Sequence, residues 1–366
     1  MVEKAAEPKV HPVRRRVLGL ARALTTPLPA DDYIALLNPE WSTRELTGRI
    51  VRKQQETADA ATIVIAPRFP WPGHQPGQYL RLGVEVDGIR HWRAYTITSD
   101  PGHPEGLVSV TVKRSKDGKL SPVFVDELTP GHQVFLGEVE GQFVLPDPVP
   151  DKLLMISAGS GITPIWSLLR ELARREHHGD VVHLHGARTP KDMIFGDHLR
   201  AMHEHRRGYT LHEHHSKEKG RVKTADLEEL CPDWRERDVF LSGPREMIDA
   251  LEEHWGLEGE PERLHTERFQ PVIGEGTEGG GTGGSVRFRV TDCDAECEVG
   301  VSILVGGERA GATLPFGCRM GICHTCVGRL RAGRVRDLRT GETEGQEGQM
   351  VRTCVNAPEG AIEIDL

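Results

Sequence analysis

Hydrophobic and polar positions change rhythm as the chain proceeds. Between about residues 46 and 148, apolar residues alternate with polar ones in short runs such as Thr62–Ile65, Tyr79–Leu82 and Val108–Val112, with turn residues between them. A period of two marks strands that bury one face, so this zone predicts an antiparallel barrel. Between about 149 and 270 the apolar runs become continuous. Leu153–Ile156, Val181–His185 and Val239–Leu241 read as fully buried strands, and a helix is expected from a Gly-rich turn to about Arg175. Strands that alternate with helices predict a parallel α/β sheet. The rhythm stops at Gly274–Ser285, which holds little besides Gly, Thr and Glu and reads as a flexible linker. The expected divisions are an N-terminal extension (1–45), the barrel (46–148), the α/β zone (149–270), the linker (271–285) and a C-terminal domain (286–366).

Composition narrows the class. A chain of 366 residues has room for two or three cores. Its net charge of −9, from 46 basic and 55 acidic residues, argues against nucleic acid as a partner. No apolar stretch approaches the ~20 residues of a membrane span. In the extension, Arg14, Arg15 and Arg16 precede an apolar stripe of Val17, Leu20, Ala21 and Leu24. Arg22 interrupts that run, which speaks against an export signal. The stripe reads as a helix packed on its own domain, or as one lying on an anionic membrane surface. A cytoplasmic location follows, with peripheral contact at the inner face of the membrane under the second reading.

Cysteines add the chemistry. Cys318, Cys323 and Cys326 stand as C-x4-C-x2-C, and Cys354 returns later in the chain. This is the ligand spacing of a plant-type [2Fe–2S] cluster. Structural zinc prefers paired C-x2–4-C knuckles, and only half of this pattern has that form. Gly317 and Gly321 give the loop backbone freedom and let amides approach bridging sulfides. Cys231, Cys293 and Cys297 lack any such spacing and read as plain thiols. His203, His205, His212, His214 and His215 alternate in two groups and read as solvated faces rather than a metal site.

Two further motifs lie upstream. Arg93-Ala94-Tyr95-Thr96 follows Pro76-Gly77-Gln78-Tyr79, and Gly118-Lys119-Leu120-Ser121-Pro122 comes after it. Arg93 offers a forked cation to a pyrophosphate, Tyr95 can cover a flat ring, and Thr96 can bond to its edge. Ser121 is expected to cap a helix with Pro122 at its first position. In the α/β zone, Gly159-Ser160-Gly161-Ile162-Thr163-Pro164 follows a buried strand. The glycines permit a tight turn at a dinucleotide, while Thr163 and Pro164 start a helix. Arg188 ends the second strand, where no acid stands at the ribose position, so a 2′-phosphate and hence NADPH is favoured over NADH.

In this order the motifs resemble the ferredoxin-reductase superfamily of flavoproteins with a C-terminal plant-type [2Fe–2S] domain. The resemblance implies that Arg93, Tyr95 and Thr96 contact the flavin, and that Gly118 and Ser121 sit at its phosphates, which favours FAD over FMN. It implies a nucleotide site at Gly159, Gly161, Thr163, Pro164 and Arg188. Ser242-Gly243-Pro244 resembles the superfamily's C-G-P motif beside the nicotinamide, with serine for cysteine. Glu267 and Phe269 match its segment near the flavin, so Tyr95, Thr96, Ser242, Glu267 and Phe269 are the candidate catalytic residues. It implies cluster ligation by Cys318, Cys323, Cys326 and Cys354 within a β-grasp-like α+β domain. Electrons would pass from NAD(P)H through FAD to the cluster, whose tether lets it face the flavin in one pose and a partner in another.

Similarity outside the cofactor motifs is to the reductases of actinobacterial stearoyl-CoA (acyl-CoA) desaturases. It covers Thr25–Leu28, Asp31–Tyr33, Asn38–Pro39, Trp41–Ser42, Glu45–Leu46, Pro232–Arg237 and Val335–Gly341. This implies a membrane-bound di-iron desaturase as acceptor. The competing reading is a reductase of a soluble ring-hydroxylating oxygenase or other monooxygenase, with the same cofactors. Arg329, Arg331, Arg334, Arg336 and Arg339, offset in sequence only by Asp337, are expected to form a docking face for an acidic partner or membrane lipid, or else a solvated hairpin.

Overall fold

The computed structural model of the chain describes residues 46–86, 89–115, 118, 120–269, 281–316, 321 and 325–366. The expected N-terminal helix, the motifs before Glu45 and two cluster cysteines, Cys318 and Cys323, lie outside the described residues.

The alternating zone forms a six-stranded sheet of β1 (Thr47–Thr57), β2 (Ala60–Pro67), β3 (Tyr79–Val86), β4 (Ile89–Thr96), β5 (Val108–Lys113) and β6 (Gln133–Glu140), in the order β4-β3-β6-β1-β2-β5. A bridge between Ile97 and Val110 brings the two outer strands together and closes it into a barrel. Ile63, Ile65, Leu80, Leu82 and Val84 fill the interior at every second position, as strand geometry requires. A short helical segment, α1 (Leu120–Pro122), runs on as a π turn through Val123–Glu127 and plugs the barrel with Phe124.

The continuous apolar runs become a parallel sheet of β7 (Lys152–Ala158), β8 (Asp180–Ala187), β9 (Tyr209–His215), β10 (Asp238–Ser242) and β11 (Leu264–Glu267), in the order β11-β10-β7-β8-β9. The helices are α2 (Ile162–Arg174), α3 (Gly196–His205), α4 (Ser216–Lys219), α5 (Thr224–Leu230) and α6 (Arg245–Glu258). Leu153 and Met155 enter one core while Leu154 and Ile156 enter another, which explains why neither face of β7 reads as polar.

The C-terminal domain has a mixed sheet of β12 (Gly284–Phe288), β13 (Cys293–Cys297), β14 (Val327–Ala332), β17 (Met350–Arg352) and β19 (Ile362–Asp365), in the order β13-β12-β19-β14-β17. β12 runs parallel to β19, and α7 (Ile303–Arg309), capped by Ser302 Oγ, packs on this sheet. A small sheet of β15 (Val335–Asp337), β16 (Thr343–Glu344) and β18 (Asn356–Pro358) stands beside it. β12 starts inside the Gly-rich stretch that composition assigns to the linker. A side chain at Gly284 would meet the Gly360 carbonyl oxygen at 2.0 Å, so glycine there permits close strand approach as well as loop freedom.

Candidate functional site

The turn after β7 organises the nucleotide end of the parallel sheet. Gly159 takes a left-handed conformation (φ +55°), and its missing side chain leaves open space. Gly161 is constrained differently. A β-carbon there would stand 2.2 Å from the Ser242 carbonyl oxygen and 2.6 Å from the Gly243 nitrogen. Glycine thus lets the turns after β7 and β10 nest against each other. Thr163 Oγ1 donates to the Ser160 carbonyl at 3.0 Å, and Pro164 lies in the first turn of α2, where a missing N–H costs nothing. A cavity of about 470 Å³ opens beside this turn, and its walls include Gly159, Arg188, Ser216, Arg221 and Pro244.

One polar atom at this end lacks the partner that buried polar atoms normally have, and a carboxyl beside it is strongly shifted. Ser242 Oγ is buried and has no hydrogen-bond partner among the described residues. Glu267 is its neighbour in register, and burial pushes that carboxyl up to about 7. A buried hydroxyl without a partner costs free energy unless a ligand supplies one. Together with the open space at Gly159, this fits a dinucleotide laid across the turn. Phe269 follows, half-buried.

On the barrel side, β4 places Arg93, Tyr95 and Thr96 opposite Leu82, Leu80 and Tyr79 of β3. Tyr95 packs edge-on against Phe124 at 5.5 Å, and burial pushes its phenol pKa up. Thr96 is buried, and Arg93 Nη1 donates to the Trp92 carbonyl at 2.9 Å. Gly77 N donates to Ser167 Oγ at 3.0 Å, and Arg170 Nη1 donates to the Thr98 carbonyl at 2.6 Å. Ser167 lies one turn of α2 beyond Thr163, roughly 6 Å along the axis. The end of β4 and the start of α2 therefore lie side by side, which brings the flavin and nucleotide candidates together.

Ser121 differs from expectation. The helical segment starts at Leu120, so Ser121 lies inside its first turn rather than at the cap. Its Oγ instead accepts the Ser115 amide at 3.0 Å, and a side chain at Gly118 would meet that Oγ at 2.7 Å. The hydroxyl thus holds a tight loop closed around Gly118.

Of the cluster cysteines, Cys326 and Cys354 are described, and both are buried. Thr353, adjacent to Cys354, donates to the Cys326 carbonyl through both its backbone N (3.0 Å) and its Oγ1 (2.8 Å). The turn that carries Cys354 is thereby strapped to Cys326, and two buried cysteines tied together in this way fit a common metal centre. Cys231 and Cys297 are different. Burial pushes their thiols up to about 12 and about 11, which leaves them unreactive.

Sequence reasoning missed Ser216, Arg221 and Asp192, which also line the nucleotide cavity. Ser216 follows β9 directly, as Arg188 follows β8, and strand C-terminal ends are where such sheets bind ligands. Asp192 lies 3.9 Å from Arg188, so an acid does approach this end of the sheet. Two other expectations change. His214 is buried and not solvated, with Nε2 2.9 Å from the Gly220 carbonyl. The arginine face is largely neutralised, since Arg331 pairs with Asp365, Arg336 with Glu359 and Arg339 with Asp337. Among the described residues, Glu228, His254 and Glu258 alone have metal-compatible spacing, and Arg235 already bridges the two carboxylates. No helix among the described residues is long and apolar enough to cross a membrane.

Comparison with known proteins agrees with this division. The Oxidoreductase FAD-binding domain family matches residues 49–144, the Oxidoreductase NAD-binding domain family matches 155–253, and the 2Fe-2S iron-sulfur cluster binding domain family matches 289–359. The chain is 42% identical to an NADPH oxidoreductase of Mycobacterium tuberculosis, over 97% of this chain and 93% of that one. It is 30% identical to the glycine betaine monooxygenase reductase subunit of Pseudomonas aeruginosa, over 90% and 98%. Its fold resembles that of phthalate dioxygenase reductase, with a TM-score of 0.59 at 22% identity, covering 88% of this chain and 98% of that one. Its cofactors are FAD, a [2Fe–2S] cluster and NAD(P)H. The chain belongs to the ferredoxin-reductase family, as an electron-transfer oxidoreductase that joins an FAD-binding, an NAD-binding and a 2Fe-2S domain in one polypeptide.

Proposed function

We propose that this reductase draws electrons from NADPH and delivers them, through the cluster held by Cys318, Cys323, Cys326 and Cys354, to a membrane-bound di-iron fatty acyl-CoA desaturase. When bound, FAD accepts a hydride and releases single electrons, which the cluster carries onward. The protein's own part is to position and exclude. Arg93 and the loop around Gly118 and Ser121 hold the flavin phosphates, while Tyr95 and Thr96 hold its ring. Gly159 leaves room for the nucleotide pyrophosphate, and Thr163 and Pro164 start the helix beneath it. Ser242, Gly243 and Pro244 shape the nicotinamide pocket. Ser242 Oγ offers that ring its missing hydrogen bond, and Glu267, poised near neutrality, holds a proton next to it. Phe269 shields the same edge from water.

The observation that carries the redox reading is the nesting of Gly161 against Ser242 and Gly243 beneath an open Gly159. NADPH is favoured by Arg188, Ser216 and Arg221 in one cavity, where guanidinium and hydroxyl groups suit a 2′-phosphate. The end-to-end likeness to a mycobacterial NADPH oxidoreductase also supports NADPH as donor, and the desaturase as acceptor rests on the resemblance in segments outside the cofactor motifs, such as Pro232–Arg237 and Val335–Gly341. The relatives named as monooxygenase reductase components support the alternative acceptor, a soluble oxygenase.

Reconstitution separates the two. The full chain is mixed with a membrane acyl-CoA desaturase or with a ring-hydroxylating oxygenase, and product is measured with NADPH and with NADH. The expected outcome is acyl-CoA desaturation, faster with NADPH. Turnover by the oxygenase alone would move the proposal to the second reading.

A further inference from the structure

We infer that Arg339 and Arg352, both acting on Asp337, set fixed positive charge against Gly321 and raise the reduction potential of the neighbouring centre. The inference rests on assigning the cluster to Cys318, Cys323, Cys326 and Cys354. It starts from Val335–Gly341, a segment that contains no cofactor motif. β15 within it pairs with β18, and Asp337 stands opposite Asn356, just beyond Cys354. Leu338 N donates to the Val355 carbonyl at 2.8 Å, so this hairpin is fastened to the turn that carries the last ligand.

Arg339 then folds back on Asp337. Its Nε and Nη2 donate to the two carboxylate oxygens at 3.0 and 2.6 Å, and its backbone N adds a third bond at 2.9 Å. This fork fixes the guanidinium plane. The remaining nitrogen, Nη1, lies against the cluster loop, where a β-carbon on Gly321 would meet it at 3.0 Å and the Val355 methyls at 2.8 and 2.9 Å. Gly321 is left-handed (φ +73°), so the loop turns under Arg339 at a residue that must be glycine. From the other side, Arg352 Nη1 donates to the Gly321 carbonyl at 2.8 Å. Cys354 acts electrostatically on Arg339, and Arg352 acts on Asp337, so the four groups share one neighbourhood.

The charges do not cancel. Two guanidinium groups and one carboxylate leave a net positive charge against the loop. Reduction adds negative charge to the centre, so a nearby cation favours the reduced form. Arginine keeps its proton at any ordinary pH, so the bias is constant. Arg339 is 32% exposed, which weakens the bias by solvent screening without removing it.

The test measures the midpoint potential of the full-length protein by dye-mediated titration, followed by visible absorbance and by the paramagnetic resonance of the reduced cluster. Arg339→Gln and Arg352→Gln should each lower the potential by up to a tenfold change in the reduced-to-oxidised ratio, about 59 mV for a one-electron couple. Arg339→Lys should recover most of the shift. Asp337→Asn should move the potential upward, because it removes the counter-charge. That opposite sign keeps the test decisive even where an arginine variant fails to assemble its centre. Potentials unchanged in Arg339→Gln and Asp337→Asn, with stability alone affected, would overturn the inference. Wild-type protein lacking the cluster spectrum would overturn the ligand assignment and the inference together.

Discussion

The two ends of the parallel sheet treat polar groups in opposite ways. At the N-terminal ends of its strands, Arg237 is 4% exposed and fully engaged. Its Nη1 donates to the carbonyls of Leu153 and Asp180 at 3.2 Å each, and its Nε and Nη2 reach Asp233 at 2.8 and 3.0 Å. Nη2 also pairs with the Asp180 carboxylate, and Lys152 adds contacts to Asp233 and Glu236. At the C-terminal ends, Ser242 Oγ has no partner among the described residues, burial holds the Glu267 carboxyl at about 7 and Gly159 faces open space. One end is saturated from within and fastens β7 to β8. The other is left incomplete, in a form that a bound dinucleotide completes. A buried polar group therefore reports stability or binding according to whether the protein itself satisfies it.

Substitutions at the two ends should accordingly fail in different assays. The largest effect is expected from Gly161→Ala, which forces the nested turns apart. Misplacement on the order of 1 Å corresponds to roughly 100-fold, so kcat/KM for NADPH should fall by that order while flavin content holds. Near-wild-type kinetics would show that the nesting does not position the nucleotide. Next comes Arg237→Gln, which takes the guanidinium from Asp180 and leaves Asp233 with the cation of Lys152 alone. Removing one partner of a buried pair costs about 3–5 kcal/mol, and about 2 kcal/mol is expected here because Asp180 and Asp233 stay partly wet. Urea unfolding should register that loss with the KM for nucleotide unchanged; a changed KM with intact stability would reverse the contrast.

The smallest effect concerns pH. Glu267 folds with its carboxyl at about 7, above the ordinary 4.5, so the native state favours the protonated form. Its contribution is most favourable below pH 4.5 and is lost as pH rises through 7. In flavin-free protein, Glu267→Gln should melt higher than wild type above pH 7 and match it below 4.5. The opposite limb belongs to buried histidines in β8. Burial lowers His183 well below 6.5 and His185 to about 4, and both share Ser157 Oγ at 2.9 and 2.8 Å. The stability they permit is full above 6.5 and is lost as pH falls towards 4, and Glu267→Gln should leave that limb untouched. A shift in the acid limb would mean that Glu267 and the histidines of β8 are coupled.

Periodicity makes the architecture readable in the sequence. Ile63 and Ile65 announce a half-buried strand, and Leu153–Ile156 announces a doubly buried one, because each pattern follows from where side chains point. Candidate chemistry was readable wherever it sits in short spacing, as with Cys323 and Cys326 or Gly159 and Gly161. Contacts between distant segments were not. Gly161 is glycine because of Ser242, far along the chain, and Arg339 reads as an exposed basic residue until the hairpin folds it onto Gly321. Ser121 looked like a cap because cap chemistry is local, yet its hydroxyl was claimed by Ser115 first. His214 alternates with polar neighbours and still lies buried, since the segment from Ser216 to Gly220 covers it.

The start of β12 at Gly284 also bounds how far electrons can be carried. Residues 270–280 alone separate the described residues of the nucleotide domain from those of the cluster domain. Eleven residues at full extension span no more than about 40 Å. A covalent link of at most that length keeps the two domains at an effective mutual concentration on the order of millimolar. Two separate polypeptides would have to be present at about that concentration to meet as often.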